Sequence, residues 1–243
     1  MPAGDDLRGF LERLLGWNAL PAVDRALRSV KRAVDERVPL VFHGDGDLMP
    51  IAQALHRRTI GADRPFVLAD PRRGNTPAMA RVPMNYASGV VAFGAATEGT
   101  LCVRSRRPPR DFARVMELIR DPSARVWLMV CSDSYERCDV LLAVSEPLRV
   151  PPLTTRASEL PRIVEEYAED ARAALSTSIP FTQNDRDWVV THCSTLHEIE
   201  LATLRLVAIH HAGNVARAAE LLGMSHAALG EWFAKRRTKG PKT

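Results

Sequence analysis

Apolar positions recur along the chain in distinct patterns, and their order predicts the architecture. Near the start, Leu7, Phe10, Leu11, Leu14 and Leu15 fall three and four apart. That spacing predicts a short helix whose apolar stripe docks on the body or on a second copy. After a break at 16–21, Val23, Ala26, Leu27, Val30 and Val34 mark a second helix over 22–36. Short continuous apolar runs follow at 38–42 (VPLVF), 65–69 (PFVLA), 99–103 (GTLCV) and 126–131 (VWLMVC), with a weaker one at 140–144. Bounded by Gly, Pro and charged residues, such runs read as buried strands. Helical spacing returns between them over 49–58 and 111–120, the latter through Phe112, Val115, Met116 and Ile119. Strands alternating with helices predict an α/β body of three layers around a mostly parallel sheet. A long helix over 157–175, a linker at 176–180 and a joining helix over 181–191 lead out of it.

The stretch 196–237 is helical throughout. Ile199, Leu201, Leu204, Leu206, Val207 and Ile209 give the first helix a broad apolar face, and Gly213 and Asn214 stop it. Asn214 caps a second helix over 215–222 with Val215, Ala218, Ala219 and Leu222 on one face, and Gly223 ends it. Ser225 caps a third that runs through Leu229, Trp232 and Phe233 into Lys235, Arg236 and Arg237. Two helices joined by a tight Gly-containing turn and followed by cations form a helix-turn-helix, whose last helix enters the DNA major groove. A plain three-helix bundle is the other reading of the same pattern.

Charge sharpens that choice. From Leu196 onward seven Lys or Arg face four acids, whereas the preceding 195 residues carry 26 against 25. A basic end on a neutral body suits a phosphate-binding module. The tail, Lys235 to Lys242, either contacts phosphate or is a solvated terminus. Cys102, Cys131, Cys138 and Cys193 lack metal-ligand spacing and read as buried apolar residues. The first residues are acidic and then amphipathic, unlike a signal peptide, and no apolar run reaches the roughly 20 residues of a membrane span. A cytoplasmic protein is expected.

The strand at 38–42 leads into His43-Gly44-Asp45-Gly46-Asp47 and then a helix, the position of a phosphate-binding loop. Such a loop needs backbone amides around the phosphates, a Lys for the outer ones and a Ser or Thr for magnesium. Here Asp45, Asp47, Leu48 and Met49 stand where Lys and a hydroxyl are wanted. Two aspartates repel a triphosphate, so the loop reads as retained in shape and disarmed in chemistry.

Residues Gly213, Asn214, Ala218, Ala219, Leu222, Gly223, Met224 and Ser225 resemble the G-N-x-x-x-A-A-x-x-L-G-[IM]-S signature of the Fis-type helix-turn-helix. The body resembles the AAA+ domain of NtrC-type bacterial enhancer-binding proteins, activators of the alternative sigma factor. The resemblance rests on VPLVFHGDGDLMPIAQALHRR, RPFVLAD, Glu98-Gly99-Thr100-Leu101-Cys102-Val103, ARVWLMVCS and LRVPPLTTRASELP in the family's order, and it covers 24–237. It implies a three-layer AAA+-like parallel sheet with a small helical lid, followed by an all-α Fis-type helix-turn-helix domain. The implied segments are an N-terminal helical piece at 1–21, the degenerate body at 22–147, lid and linker at 148–190, and the DNA-binding domain with its basic tail at 191–243. Residues 1–21 leave no room for a receiver domain ahead of the body.

Departures from the family pattern shape the functional expectation. Leu48 stands at or beside the Walker A lysine, and Arg104 and Ser105 replace the Walker B acids. The sigma-contacting GAFTGA loop has no counterpart around 84–95. Arg156 holds a sensor-like place, or is a surface residue where the lid helix starts. No ATP hydrolysis, cofactor, metal or nucleotide-binding residue is expected. The expected DNA-binding residues are Asn214, Arg217, Ser225, His226, Ala227, Lys235, Arg236, Arg237 and Lys239. His226, Ala228, Gly230 and Glu231 stand where the family's reading helix carries Arg, Thr and further cations. Partners implied are double-stranded DNA, a second copy joined as a dimer through the helix beginning at Leu196, and a possible partner activator. His210 and His211 read as helix-end residues favoured by the dipole. Two alternatives stay open: a protein-interaction module or antagonist that does not read DNA, and a nucleotide-ligand sensor using Arg104, Arg106, Arg107 and Arg110. The bland account of that arginine cluster is a solvated loop beside Pro108 and Pro109.

Overall fold

The structure is a computed structural model that describes residues 3–73, 75, 83–132 and 147–238. The chain forms two compact units, 1–151 and 152–243. The first contains the N-terminal helix and the sheet, and the second contains the C-terminal helices.

In the first unit, β1 (Leu40–His43), β2 (Phe66–Ala69), β3 (Met84–Tyr86), β4 (Thr100–Arg104), β5 (Trp127–Ser132) and β6 (Leu148–Arg149) form one sheet in the order β3-β2-β4-β5-β1-β6. Every pairing is parallel, with Leu101 opposite Val67 on one side and Leu128 on the other. The strands are buried on both faces, which is why they read as unbroken apolar runs. Alternation along the strands sends Val41, Val67, Leu101, Val103, Leu128 and Val130 to one face. There they meet Ala92 and Ala96 from α4 (Gly89–Ala95) and its C-cap, and Val115 and Met116 of α5 (Phe112–Ile119). The opposite face receives α3 (Met49–Thr59), against which α1 (Ala3–Leu15) packs; α2 (Leu20–Asp35) lies on α1. Three layers result, as expected.

Leu7, Phe10, Leu11, Leu14 and Leu15 are all buried within this unit, so the stripe of α1 docks on the body. Expected helices and strands lie within a few residues of their predicted bounds. β3, β6 and α4 were not expected: strands of three and two residues and a seven-residue helix containing two glycines are too short to show a period. A polar signal for α4 does exist. Ser88 Oγ accepts from Val91 N, and Asp111 accepts from Ser88 Oγ, Gly89 N and Val90 N at 2.7–3.0 Å. These bonds hold the Asp111 carboxyl below its ordinary range against the opposing effect of partial burial. The strand expected at 140–144, Cys138 and most of the segment 74–82 lie outside the described residues.

The family-like motif residues are structural. Thr100 Oγ1 lies 2.8 Å from His56 Nδ1, and His56 Nε2 lies 3.1 Å from the Arg64 carbonyl. The carbonyl can only accept, so Nε2 carries the proton and Nδ1 accepts from the threonine. Both side chains are buried, and burial lowers the His56 pKa from its ordinary 6.5. The unfolded chain therefore binds this proton more readily than the native one below pH 6.5, and stability falls as pH drops from there toward the lowered native value. A His56→Gln variant is expected to lose this component: thermal midpoints measured from pH 7.5 to 5 should decline less steeply than in the wild type.

In the second unit, a 3-10 turn (Leu153–Glu159) precedes α6 (Leu160–Ala174), α7 (Gln183–His192), α8 (Leu196–Ala212), α9 (Val215–Leu222) and α10 (His226–Thr238). The long helix expected over 157–175 is α-helical from Leu160 to Ala174, and its first residues belong to the 3-10 turn, within which Arg156 leaves helical geometry at φ −128°. α8 packs against α6, α7 and α9, which together cover Leu196, Ile199, Ala202, Thr203, Leu206, Val207, Ala208 and Ile209, while Glu198, His210 and His211 stay exposed.

Candidate functional site

The first candidate lies at the carboxyl ends of β1, β4 and β5. β1 runs into the turn 44–48 and α3, and the loop is pinned from two sides. Gly44 N donates to Ser132 O at 3.1 Å, and Val150 N donates to His43 O at 2.7 Å. A Cβ on Gly44 would stand 2.8 Å from the Val150 carbonyl, so close packing against the end of β6 accounts for this glycine without any phosphate. Leu48 and Met49 are buried, so the lysine position points into the core. Asp47 does not stand isolated: Arg104 Nη2 donates to its two carboxylate oxygens at 3.1 and 3.0 Å, and Met49 N donates to Oδ1 at 3.2 Å. Ser105 is buried with its hydroxyl 3.1 Å from that of Ser132. The turn after β1 and the end of β4 are thus bonded to each other through Asp47 and Arg104.

Arg106, Arg107 and Arg110 are exposed on the following loop. Arg156, in contrast, is buried rather than a surface residue, and its Nε and Nη2 donate to Glu159 at 2.9 and 2.7 Å. Cys102 and Cys131 are buried with their sulfurs 3.8 Å apart, and the contact and burial push the Cys131 thiol far up. Cys193 is pushed up to about 12 by burial and by Glu198. Among the described residues no group of three His, Cys, Asp or Glu is placed to hold a metal, and no helix is long and apolar enough to cross a membrane.

The second candidate is the helical triplet. Thr195 and Glu198 form a capping box that starts α8, and Gly213 ends it at φ 74°. Asn214 Oδ1 accepts from Arg217 N at 2.9 Å to start α9, and Gly223 ends it at φ 63°. Ser225 Oγ accepts from Ala228 N at 3.2 Å at the head of α10. Ala208, Ile209, Ala218, Ala219, Leu222 and Leu229 form the core beneath these turns. Each polar residue of the signature is thereby used in a cap, which fixes the angle between α9 and α10.

Of the expected DNA-binding residues, Asn214, Arg217, Ser225, His226, Ala227 and Lys235 are exposed. The Arg237 side chain and Lys239 lie outside the described residues. Arg236 departs from expectation. Its side chain is 12% exposed, pairs with Asp185 of α7, and lies 5.7 Å from the Trp188 ring centre and 5.9 Å from that of Phe233. His210 also differs from a simple helix-end residue, because its Nε2 lies 2.8 Å from the second Asp185 oxygen. Asp185, Trp188 and His210 therefore tie α7, α8 and α10 together, and Trp188 meets Trp232 edge to face at 5.7 Å. The expected dimer seam is also filled: Leu196, Ile199, Leu206, Val207 and Ile209 are buried inside this unit. Besides His226 and Lys235, the exposed face of α10 offers Ala227, Ala228, Glu231 and Ala234.

No family model matches the chain, and no curated protein matches it. Among solved structures, it is similar to NtrX from Brucella abortus in complex with ADP, at 13% identity over 88% of this chain and 68% of that one, with a TM-score of 0.49. NtrX from the same organism in complex with ATP gives 15% identity, 88% and 67% coverage, and a TM-score of 0.47.

Proposed function

We propose that this protein is a DNA-binding transcriptional regulator of the NtrC type, with an AAA+-like body that does not hydrolyse ATP and serves oligomerisation or partner binding. The observation that carries the reading is the pair of capped helices α9 and α10, joined across Gly223 to Ser225. It exposes His226 and Ala227 at the N-terminal end of the second helix, where base edges are met in a helix-turn-helix. Serine and histidine hydrogen-bond bases or phosphates, and alanine meets a thymine methyl. Arg217 and Lys235 supply exposed cations for the backbone.

Fluorescence anisotropy with labelled duplexes at increasing salt tests this. Binding should weaken as salt rises, and Lys235→Ala should reduce the slope of log K against log salt by about 1. A wild-type chain without affinity for any duplex at low salt would overturn the reading. The alanines and Glu231 on α10 favour a second reading in that event, a protein-interaction module that pairs with an intact activator. Co-purification with such a partner, together with absent DNA footprints, would support it. A dimer of this protein would use residues other than the buried ones of α8, and sedimentation of Leu201→Glu and Leu204→Glu variants, both part-exposed, locates the contact.

A further inference from the structure

The carboxyl edge of a parallel sheet is where open α/β proteins take ligands. In this chain the edge is crossed by an ion pair. Arg104 sits at the end of β4 and Asp47 follows β1, and β5 lies between those strands in the sheet. The bridge therefore spans the top of β5, joining the two positions from which a nucleotide site would be built. Asp47 also accepts the backbone amide of Met49, one of the donors that the first turn of α3 cannot satisfy within the helix. Pro50, the next residue, has no amide hydrogen to offer. Arg104 keeps unspent capacity: its Nε is buried and, among the described residues, has no acceptor.

We propose that Asp47 is a built-in anion, an autoinhibitory contact in which the chain's own carboxylate takes the start of α3 and the Arg104 guanidinium, and so keeps phosphate groups out. The inference rests on the reading of this turn as a disarmed phosphate loop. The carboxylate supplies one negative charge at the helix start, where the dipole favours it, and Arg104 supplies the counter-charge. An incoming phosphate would meet that carboxylate within a few ångströms and would find its cation already engaged. The side chains of Asp47 and Arg104 are 38% and 28% exposed, so the bridge lies where a solute can reach it. Removing the carboxylate leaves the Met49 amide and the Arg104 Nη2, both now bonded to it, without that partner at a part-exposed edge.

The test is calorimetric titration of inorganic pyrophosphate into the full chain at low salt, for the wild type, Asp47→Ala and Asp47→Ala with Arg104→Ala. The expected result is that Asp47→Ala binds about tenfold or more tighter than the wild type, the size of removing a like charge near 4 Å at a partly solvated site. The double variant should lose the gain. Circular dichroism establishes folding, and Asp47→Asn, which keeps the shape and drops the charge, takes the place of an alanine variant that does not fold. A folded, charge-free variant that binds pyrophosphate no better than the wild type overturns the proposal. So does a gain that survives loss of Arg104. An ATPase assay on the wild type separates the two readings: hydrolysis there would sink the disarmed loop itself, whereas a silent wild type with no gain in Asp47→Ala sinks only the built-in anion.

Discussion

Gly99→Ala is expected to destabilise the first unit by about 3 kcal/mol or more, the upper range for overpacking a closed interior. A Cβ built on Gly99 falls 2.1 Å from the Pro65 carbonyl oxygen and 2.7 and 2.9 Å from its ring carbons. None of these atoms is the end of a flexible side chain, so backbone must move. The segment that would move carries the sheet's register: Thr100 N donates to Pro65 O at 2.9 Å, and Trp127 N donates to Gly99 O at 3.0 Å. Displacing it pulls β4 from both β2 and β5, its partners. The thermal midpoint should fall by about 10 °C for a unit of this size. Gly94→Ala is the control. Nothing lies within 4 Å of that added methyl, and alanine is the better helix former in α4. A Gly99→Ala variant that melts with the wild type would show that the β2–β4 contact gives way cheaply.

Arg236→Leu is expected to cost about 3 kcal/mol in the second unit, the scale of removing one partner from a buried ion pair. The Asp185 side chain is only 2% exposed and would be left with His210 and the Thr182 hydroxyl. The lost contacts over Trp188 and Phe233 add to the effect. Two measurements on one variant separate a structural arginine from a phosphate ligand. In the structural role the melting temperature drops while the salt slope of DNA binding per folded molecule stays put. In the ligand role the slope falls by about 1 with stability unchanged. Lys235, its exposed neighbour, should behave in the second way.

These two residues mark where sequence reading succeeds and where it stops. β1, β2, β4 and β5 were legible because each is a short apolar run bounded by Gly, Pro or charged residues, whereas β3 and β6 are too short to leave a pattern. The three C-terminal helices were legible because Gly213, Asn214, Gly223 and Ser225 each do at a helix end what their chemistry favours. The packing of Arg236 against Asp185 was missed because three cations in a row invite reading by composition. Its helical phase was available: Leu229, Trp232 and Phe233 precede it by seven, four and three positions on the inward face. His210 and Asp185, 25 residues apart, share no pattern that would have revealed them. Asp47 and Arg104 are further still from legible. Each could be seen as a departure from a phosphate site, but that the two departures meet depends on the strand order, which places the ends of β1 and β4 on either side of β5.

That meeting also shapes what single changes can do. An aspartate introduced at position 104 alone would face Asp47 with a like charge where the bridge now stands. A lysine in place of buried Leu48 would enter a core with no room for its charge. Each single step toward a metal-and-phosphate site thus lowers stability before it adds any chemistry, and only coordinated replacement of residues on separate strands avoids the loss. The bridge therefore makes this edge of the sheet resistant to single substitutions toward phosphate chemistry, because its two ends stand on separate strands.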